Sequence, residues 1–571
     1  MANFIKTYNS FAHGAIAPEF YTRDDLGGLA CLENMDVLSG GGLTRRNGLV
    51  PVAELPGPSR LITFSVNDTD EYLLVLGNGN MIVFHNGQRT DSLATPWTVS
   101  ALDKLQYAQR FGTMIFVHPD YTPRILSHTD SGFALREFDF SRNDADMTAN
   151  MPFMRFDDTD DITITVSSHT AGNNYATFTA SSALWNSNYV GTRLMLMGKQ
   201  WLITEYITPT QVVAYTNGTY NIPSSPITQW YEAAFSKHRG WPISITFHQD
   251  RLVFGGSRSH PSGVWLSRVG MHNNFNVGTG LDDEAIFITL LAHQRQQICT
   301  VVSSDNLQIL TTTGEWAISN KPLTPSSVDI KQHTTVGSYA TRYLPPQKIE
   351  GATIFISGNC RDIRELSLDE LGENYNATDL CAFSKHLMCG PVDMSYNPDA
   401  RRLFIVMTDG TIATLNYNSA LGISAWGTYK TVGKFISVAT LSGKTYTVVC
   451  RDGEYKLEYF SSSALRDGGT YDFAYRASGI PFRASGHNAG RIRIRKITAR
   501  TLNTKSVFIN GTRIALPNEC LAPESAGFSG DITVNTLGTV RDGIGPIWTV
   551  HGNLPEPATI LSLTIHGWYT V

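Results

Sequence analysis

The carboxylates most able to do chemistry in this sequence form the run Asp282, Asp283 and Glu284. Neighbouring carboxylates can bind a metal ion or act as a general acid and base. Successive residues of a strand point to opposite faces, however, and neither a histidine nor a further carboxylate follows at ligand spacing. We therefore expect a capped or salt-bridged loop here, with metal binding or acid–base chemistry as the alternative.

A second acidic run, Asp157 to Asp161, resembles a calcium loop only in its aspartates. It lacks the central glycine and the closing glutamate of such a loop, so we expect a solvated turn. The 15 histidines form neither an HxH nor an HExxH pattern, and the chain has no GxSxG motif and no phosphate-binding P-loop. The sequence thus assigns no catalytic, cofactor-binding or metal-ligating residue, and we expect a protein that is not an enzyme and has no cofactor.

Two groups of arginines are the candidate contact residues. Arg45 and Arg46 are adjacent, and the simplest interpretation is a solvated pair; the alternative is a contact with a carboxylate on a neighbouring element or subunit. Arg491, Arg493 and Arg495 alternate with isoleucines, which predicts a strand with one arginine face. That face is either open to solvent or pairs with phosphates or with acidic groups of a neighbouring subunit. These five arginines are the possible intersubunit or DNA-facing residues.

The elements that must position these residues are repeated β-hairpins. Short apolar strands joined by glycine- or aspartate-containing turns begin near residues 72, 113, 251, 307, 353, 402 and 445. All but one of the spacings are close to a propeller blade of about 40 to 50 residues. Trp265, Trp316 and Trp426 recur in these units, and we expect them to pack one blade against the next. The fold class is therefore all-β, with a β-propeller at its centre.

The remaining segments predict additional β domains. The one long spacing holds alternating strands, which indicate an inserted β domain, and beyond about residue 465 the repeat stops and a β-sandwich-like domain is expected. We expect Asn47-Gly48 and Asn217-Gly218 to form hairpin turns, and Asp379 to Met388 to form a short helix. The predicted domains are an N-terminal arm (1–50) that packs on the propeller or a neighbouring subunit, the first blades (51–150), the insertion (151–240), the remaining blades (241–464) and the terminal domain (465–571).

Composition restricts the function classes. A formal net charge of -5 argues against a general nucleic-acid binder, which would carry a clear basic excess. The seven cysteines are dispersed without a CxxC pair, so buried free thiols are expected instead of a zinc site or a disulfide scaffold. We see neither a signal sequence nor an apolar run long enough to span a membrane, so we expect a soluble protein that is either intracellular or assembled inside a cell.

Several short motifs resemble the nozzle proteins of short-tailed bacteriophages, also called tail tubular protein B. The resemblance covers about residues 1 to 460, and the segments that carry it are Phe11 to Pro18, Tyr21 to Leu26, Leu32 to Asn34, Gly42 to Gly48, Asp250 to Gly256, Trp265 to Arg268, Leu281 to Ile286, Thr313 to Trp316, Arg361 to Leu366, Tyr375 to Leu380, and Asp409 to Gly410. Many relatives have glutamate in place of Ala15 and proline in place of Asn47.

The resemblance implies a structural tail protein of the virion, assembled in the host cytoplasm. It implies a homo-oligomeric ring, commonly a hexamer, below the portal and its adaptor ring, with tail fibres or needle and tip proteins as further partners. Double-stranded DNA would be retained above this ring and pass through it during ejection. The alternative from another class is a carbohydrate-binding or carbohydrate-degrading β-propeller, that is, a receptor-binding module or a depolymerase.

Overall fold

Alternating apolar and polar residues make most of this chain extended. In the computed structural model 52% of the chain is strand and 4% is helix. The structure describes residues 2–570 except 24–25, 68, 131, 144–146, 170–173, 484–489, 523 and 536–537. Asp24 and Asp25 of the Tyr21 to Leu26 motif lie outside the described residues.

The first five strands belong to the N-terminal segment. They are β1 (Ala2–Tyr8), β2 (Leu29–Glu33), β3 (Met35–Val37), β4 (Leu43–Arg45) and β5 (Gly48–Leu55). Asn47-Gly48 does not close a hairpin, because β4 pairs with β3 whereas β5 joins another sheet, contrary to the expectation.

Blade-like antiparallel sheets of four strands follow. The first two are β6 (Arg60–Ser65), β7 (Glu71–Leu76), β8 (Asn80–His85), β9 (Gln88–Ala94), and β10 (Gln106–Arg110), β11 (Thr113–His118), β12 (Tyr121–Thr129), β13 (Gly132–Glu137). The inserted domain is a seven-stranded sheet of β14 (Phe153–Met154), β15 (Ile164–Ser168), β16 (Tyr175–Ala180), β17 (Arg193–Leu196), β18 (Lys199–Thr208), β19 (Gln211–Tyr215) and β20 (Trp230–Ala233). Asn217-Gly218 is not a hairpin turn, since β20 pairs with β14 and β17 and not with β19.

The remaining blades follow the inserted domain along the chain. They contain β21 (Ser244–His248), β22 (Arg251–Gly255), β23 (Gly263–Leu266), β24 (Ile286–Thr289); β25 (Ile298–Ser303), β26 (Leu307–Thr311), β27 (Gly314–Ile318), β28 (Ile330–Thr334); β29 (Gln347–Ile349), β30 (Ala352–Ile356), β31 (Ile363–Leu368), β32 (Tyr375–Asp379); β33 (Pro391–Asn397), β34 (Arg402–Met407), β35 (Ile412–Asn418), β36 (Ile423–Tyr429); and β37 (Lys434–Leu441), β38 (Lys444–Arg451), β39 (Glu454–Ser461). The last blade takes β5 as its fourth strand, antiparallel to β39.

The terminal strands form the C-terminal domain together with the N-terminal ones. They are β40 (Tyr475–Gly479), β41 (Arg491–Thr504), β42 (Phe508–Ile509), β43 (Thr512–Arg513), β44 (Phe528–Asn535), β45 (Thr539–Arg541), β46 (Thr549–Gly552) and β47 (Thr559–Thr570). One layer contains β1, β3, β4, β41, β44, β45 and β47; the other continues from β36 through β2 to β40, β46, β42 and β43. Both layers contribute to one buried apolar cluster, which makes this region a two-layer β-sandwich.

Helix is limited to single turns in the described residues. The α-helix α1 is Asn518–Leu521, and the 3-10 turns are Pro18–Phe20, Ala101–Lys104, Asp157–Thr159, Ser187–Tyr189, Lys385–Leu387 and Ser419–Leu421. The helix expected over Asp379 to Met388 is wrong. The Asp379 carboxylate instead accepts a hydrogen bond from the Cys381 backbone N–H and pairs with Lys385, which holds this stretch as a turn.

The chain divides into two compact units. The first contains Met1–Thr63, Asp70–Ser92 and Leu344–Val571, and the second contains Phe64–Thr69 and Leu93–Tyr343. In the second unit, Trp265 lies in an apolar cluster with Ile115 and Val117 of the preceding blade, and Trp316 lies in one with Val264 and Leu266. These two tryptophans therefore pack blade against blade, as expected. The blade sheets, the inserted sheet and the sandwich confirm the predicted fold class, a β-propeller with two added β domains.

Candidate interaction surface

The outward side of β41 carries the predicted arginine face. Ile492 and Ile494 are 0% and 1% exposed and lie in the sandwich core. The residues that alternate with them, Arg491, Arg493 and Arg495, are exposed. The alternation predicted for this strand is confirmed. It follows from the two-residue period of the strand, because the apolar residues occupy the side that faces the second layer.

Neighbouring strands extend this face. Arg491 lies opposite Arg541 of β45, and Arg493 lies opposite Trp568 of β47. Opposed residues of an antiparallel pair share one side of the sheet, so Arg541 and Trp568 belong to the same surface. We call Arg491, Arg493, Arg495, Arg541 and Trp568 the terminal basic face.

The positive charge of the terminal basic face is not neutralised within the described part of the chain. None of its four arginines forms an ion pair with a described carboxylate. The guanidinium of Arg495 lies over the Trp568 ring, 5.6 Å from its centroid, a cation–π contact that leaves its N–H groups available. Farther along β41 the charge is balanced, because Arg500 lies 3.6 Å from the Asp531 carboxylate.

The other two candidate arginines have a structural role. Arg46 is 1% exposed, and its guanidinium donates to both carboxylate oxygens of Asp467 at 3.0 and 2.7 Å and to the Asn34 side chain at 2.8 Å. Arg45 is 6% exposed and donates to the backbone carbonyls of Leu465 and Glu556. Burial lowers the pKa of Arg45 to about 10, which reflects the desolvation of its charge.

The interpretation of Arg45 and Arg46 as a solvated pair is therefore wrong. Arg46 contacts a carboxylate on a neighbouring element of the same chain, which was the alternative. A role in facing DNA or a second subunit does not fit the burial of these two side chains, because their N–H groups point into the protein.

The acidic run Asp282 to Glu284 is a structural loop, as expected. The Asp283 carboxylate accepts a hydrogen bond from Arg268 at 2.9 Å, and that of Glu284 accepts from the backbone N–H groups of Thr279, Gly280 and Leu281 at 2.7 to 2.9 Å. Hydrogen bonds from Arg268 and from the Leu281 backbone, respectively, hold the pKa of Asp283 and of Glu284 below the usual range. Both carboxylates are thus used to close the loop.

The run Asp157 to Asp161 is only in part the solvated turn that we expected. Asp158 binds the guanidinium of Arg239 at 2.8 Å, and Arg239 in turn binds Glu232, which is 1% exposed, at 2.7 Å. This network links the start of the inserted domain to the strand that leaves it. Sequence reasoning missed it because Asp158 lies 81 residues from Arg239 and shares no motif with it.

Three of the histidines have polar partners of the ordinary kind. His248 hydrogen-bonds the Ser303 hydroxyl at 2.9 Å, His260 bonds that of Thr289 at 3.0 Å, and His272 lies 3.6 Å from Asp250.

A group with metal-ligand chemistry appears elsewhere, at Asp362, Asp379 and Cys381, whose ligand atoms lie within 4.8 Å of one another. The Lys385 ammonium occupies this position, 2.9 Å from Asp362 and 3.1 Å from Asp379, and it supplies the positive charge that an ion would bring.

Comparisons with known proteins found structural likenesses of low similarity and no relative by sequence. A scan against protein-family models and a search of curated proteins found no match. Solved structures similar to this chain include the WD40 repeats of RRP9 (6% identity, TM-score 0.38, covering 73% of this chain and 99% of that one). Others are the β-propeller domain of Cps50 (Swd1) from Myceliophteria thermophila (6%, 0.36, 72% and 100%) and BamB from Moraxella catarrhalis (9%, 0.36, 72% and 98%).

The sheets of the structure themselves define the class, a β-propeller protein with an inserted β domain and a terminal sandwich. Likenesses at these TM-scores add nothing on function. In the described residues, no helix has the length and apolar character needed to cross a bilayer.

Proposed function

We propose that this protein is a structural tail nozzle of a short-tailed bacteriophage. Copies of the chain form a ring below the portal and adaptor, and the ring retains the genome and conducts double-stranded DNA during ejection. The motif resemblance in residues 1 to 460 suggests the family, and the propeller with two added β domains is compatible with a wall-forming subunit.

The observation that carries the assembly role is the terminal basic face. Four exposed arginines without a described acidic partner in their own chain can pair with carboxylates on another copy or on a partner protein. A face that meets a different surface on the next copy makes a heterologous contact, and such contacts close into rings when the rotation is right.

Net charge supports the conduit part of the proposal. Every phosphate that a wall neutralises adds affinity for DNA, so a strongly basic channel would trap the genome. Six copies of a chain with a formal charge of -5 carry about -30 in total, which favours a wall that releases DNA readily.

Electron microscopy of the purified full-length protein, with native mass spectrometry, tests this function. The proposal predicts a closed ring, most simply of six copies, with a central hole about as wide as a DNA duplex. A protein that stays monomeric at micromolar concentration, alone and with the adaptor protein of its phage, would contradict it.

The alternative is a carbohydrate-binding or carbohydrate-degrading propeller of a tail. It is favoured by one observation, a cleft of about 320 Å³ in the second unit that is lined by aromatic and charged side chains. Release of reducing sugars from purified capsule or lipopolysaccharide by the isolated protein would favour this alternative over a purely structural role.

A further inference from the structure

The cleft lies where the inserted domain meets the blade that precedes it. The end of β13, the segment before β14, the start of β17 and the segment after β20 contribute its walls, and its volume is about 320 Å³. We call it the junction cleft. Its volume is at the lower end of the range for small-molecule sites, so it suits a ligand of one or two rings.

Backbone hydrogen bonds hold its walls in place. The backbone N–H and carbonyl of Ala149 bond the Gln200 side chain at 2.8 Å each, which fixes the entry segment to the inserted sheet. The N–H groups of Phe138 and Trp241 donate to the carbonyls of Pro123 and Pro119 at 2.9 and 3.0 Å. A ligand would therefore find the cleft already formed and would not have to order it.

Cationic side chains dominate the polar lining. Leu194 and Leu196 of β17 point into the core of the inserted domain, so the alternation of the strand turns Arg193 outward to the cleft, where Arg142 and Lys237 join it. None of these three cations forms an ion pair with a described carboxylate. Burial, and then the nearby charge of Arg142, lower the pKa of Arg193.

The acidic groups of the lining leave it an excess of positive charge. Glu137 already pairs with Arg124 at 2.9 Å, whereas Asp139 is exposed. The Asp139 carboxylate can accept hydrogen bonds from hydroxyl groups, and the three cations can bind an anionic group. The lining therefore suits an anion that carries hydroxyls.

The apolar lining completes the recognition. Phe138 and Phe235 are buried beneath the cleft, and Phe140 and Trp241 are half-buried along it. Aromatic faces of this kind pack against the C–H face of a sugar ring.

We propose that the junction cleft binds a carboxylated sugar, such as one uronate residue of an acidic polysaccharide. Arg193 and Arg142 hold the carboxylate, Trp241 and Phe140 contact the ring, and Asp139 accepts from its hydroxyls. The planar guanidinium matches a carboxylate with two parallel hydrogen bonds, which distinguishes an acidic sugar from a neutral one. This site goes beyond the proposed nozzle function and does not depend on it.

The test measures binding of trigalacturonate to the full-length protein by saturation-transfer NMR and calorimetry, with maltotriose as the neutral probe. The wild type binds trigalacturonate and not maltotriose, and Arg193→Met weakens this binding at least tenfold. The matched control is Arg136→Met, because Arg136 is exposed on β13 and does not line the cleft; it binds like the wild type. If Arg193→Met lowers the thermal midpoint, the exposed Lys237→Met takes its place, with at least a threefold loss expected.

Four results would overturn the proposal, and the first three are equal binding of the two trisaccharides, unchanged binding by both cleft variants, and no binding of trigalacturonate at millimolar concentration. Preferential binding of adenosine monophosphate would also overturn it, because it would assign the cleft to nucleotides. Ring formation by Arg193→Met is scored separately by microscopy, so failure of this site is distinguishable from failure of the nozzle function.

Discussion

Two sets of arginines in the same sandwich have opposite environments. Arg46 is enclosed and forms a buried pair with Asp467, with both side chains 0% exposed, whereas Arg491, Arg493 and Arg495 project from the outer side of β41 without an acidic partner in the described chain. The first set joins parts of one chain that are about 420 residues apart. The second set can contribute little to the fold and is available for contacts with other molecules.

Residue type alone therefore does not assign a role to an arginine. A buried guanidinium must be paired, because removing its partner leaves an uncompensated charge in the protein interior. An exposed guanidinium costs little when it is unpaired, and it retains its charge for association. Substitutions at the buried pair should therefore change stability most, and substitutions of the exposed arginines should change it least.

The buried pair should be the most sensitive position. Asp467→Asn leaves the Arg46 charge without its counterion, and we expect the free energy of unfolding of the sandwich to fall by about 3–5 kcal/mol. Urea denaturation followed by hydrogen exchange of β40 and β41 measures this loss. The matched control is Asp472→Asn, since Asp472 forms an exposed pair with Arg466 at 3.1 Å and should cost less than about 1 kcal/mol. Equal effects of the two variants would refute the division.

An ionisable group whose charged form is disfavoured by burial should make stability depend on pH. His118 is 4% exposed and accepts a hydrogen bond from the Asp120 N–H, and burial lowers the pKa of His118 to about 4. The unfolded chain takes up a proton near pH 6.5 and the folded chain resists it, so stability falls as the pH drops below 6.5.

Between pH 6.5 and pH 5 we expect the blade that contains β11 to lose about 2 kcal/mol of protection against hydrogen exchange. His118→Asn keeps an acceptor for the Asp120 N–H and should remove most of this dependence. An identical pH profile in the wild type and the variant would show that His118 does not cause it.

The exposed arginines should have the smallest effect on the fold. Replacing Arg491, Arg493 and Arg495 together by alanine should change the free energy of unfolding of the isolated protein by less than about 1.5 kcal/mol, since surface substitutions usually stay within about 0.5 kcal/mol each. Thermal unfolding of the monomer, at a salt concentration that suppresses association, measures it. A loss comparable with that of Asp467→Asn would place these arginines among the residues that hold the fold.

The repeated hairpins could be predicted from the sequence because their signals are local. The predicted starts near 113, 251, 307 and 402 coincide with β11, β22, β26 and β34, each the second strand of its blade. Turn residues are one such local signal. Asp452 and Gly453 both have positive backbone φ angles and connect β38 to β39, the hairpin that the sequence predicts. The alternation of Arg491 to Arg495 was equally local.

The long-range pairings could not be predicted in this way. β5 joins β39 across about 400 residues of sequence, and β1 joins the last strand of the chain. Nothing in the local pattern of Arg45 and Arg46 distinguishes a solvated pair from a buried one, because their partners Leu465 and Asp467 are brought near only by those pairings. For the same reason the junction cleft, which combines residues from 122 to 241, carried no sequence signal.

We have proposed that copies of this propeller protein form a wall and that the terminal basic face makes the intermolecular contacts. Native mass spectrometry and electron microscopy of the wild type and of the Arg491, Arg493 and Arg495 triple alanine variant, in 50 mM and 500 mM salt, test it most directly. We expect rings of the wild type that the triple variant fails to form or forms only at low salt, because exposed charge pairs are screened within about 10 Å at 0.1 M ionic strength. A wild type that forms no ring, or a triple variant that assembles as the wild type does at both salt concentrations, would contradict the account.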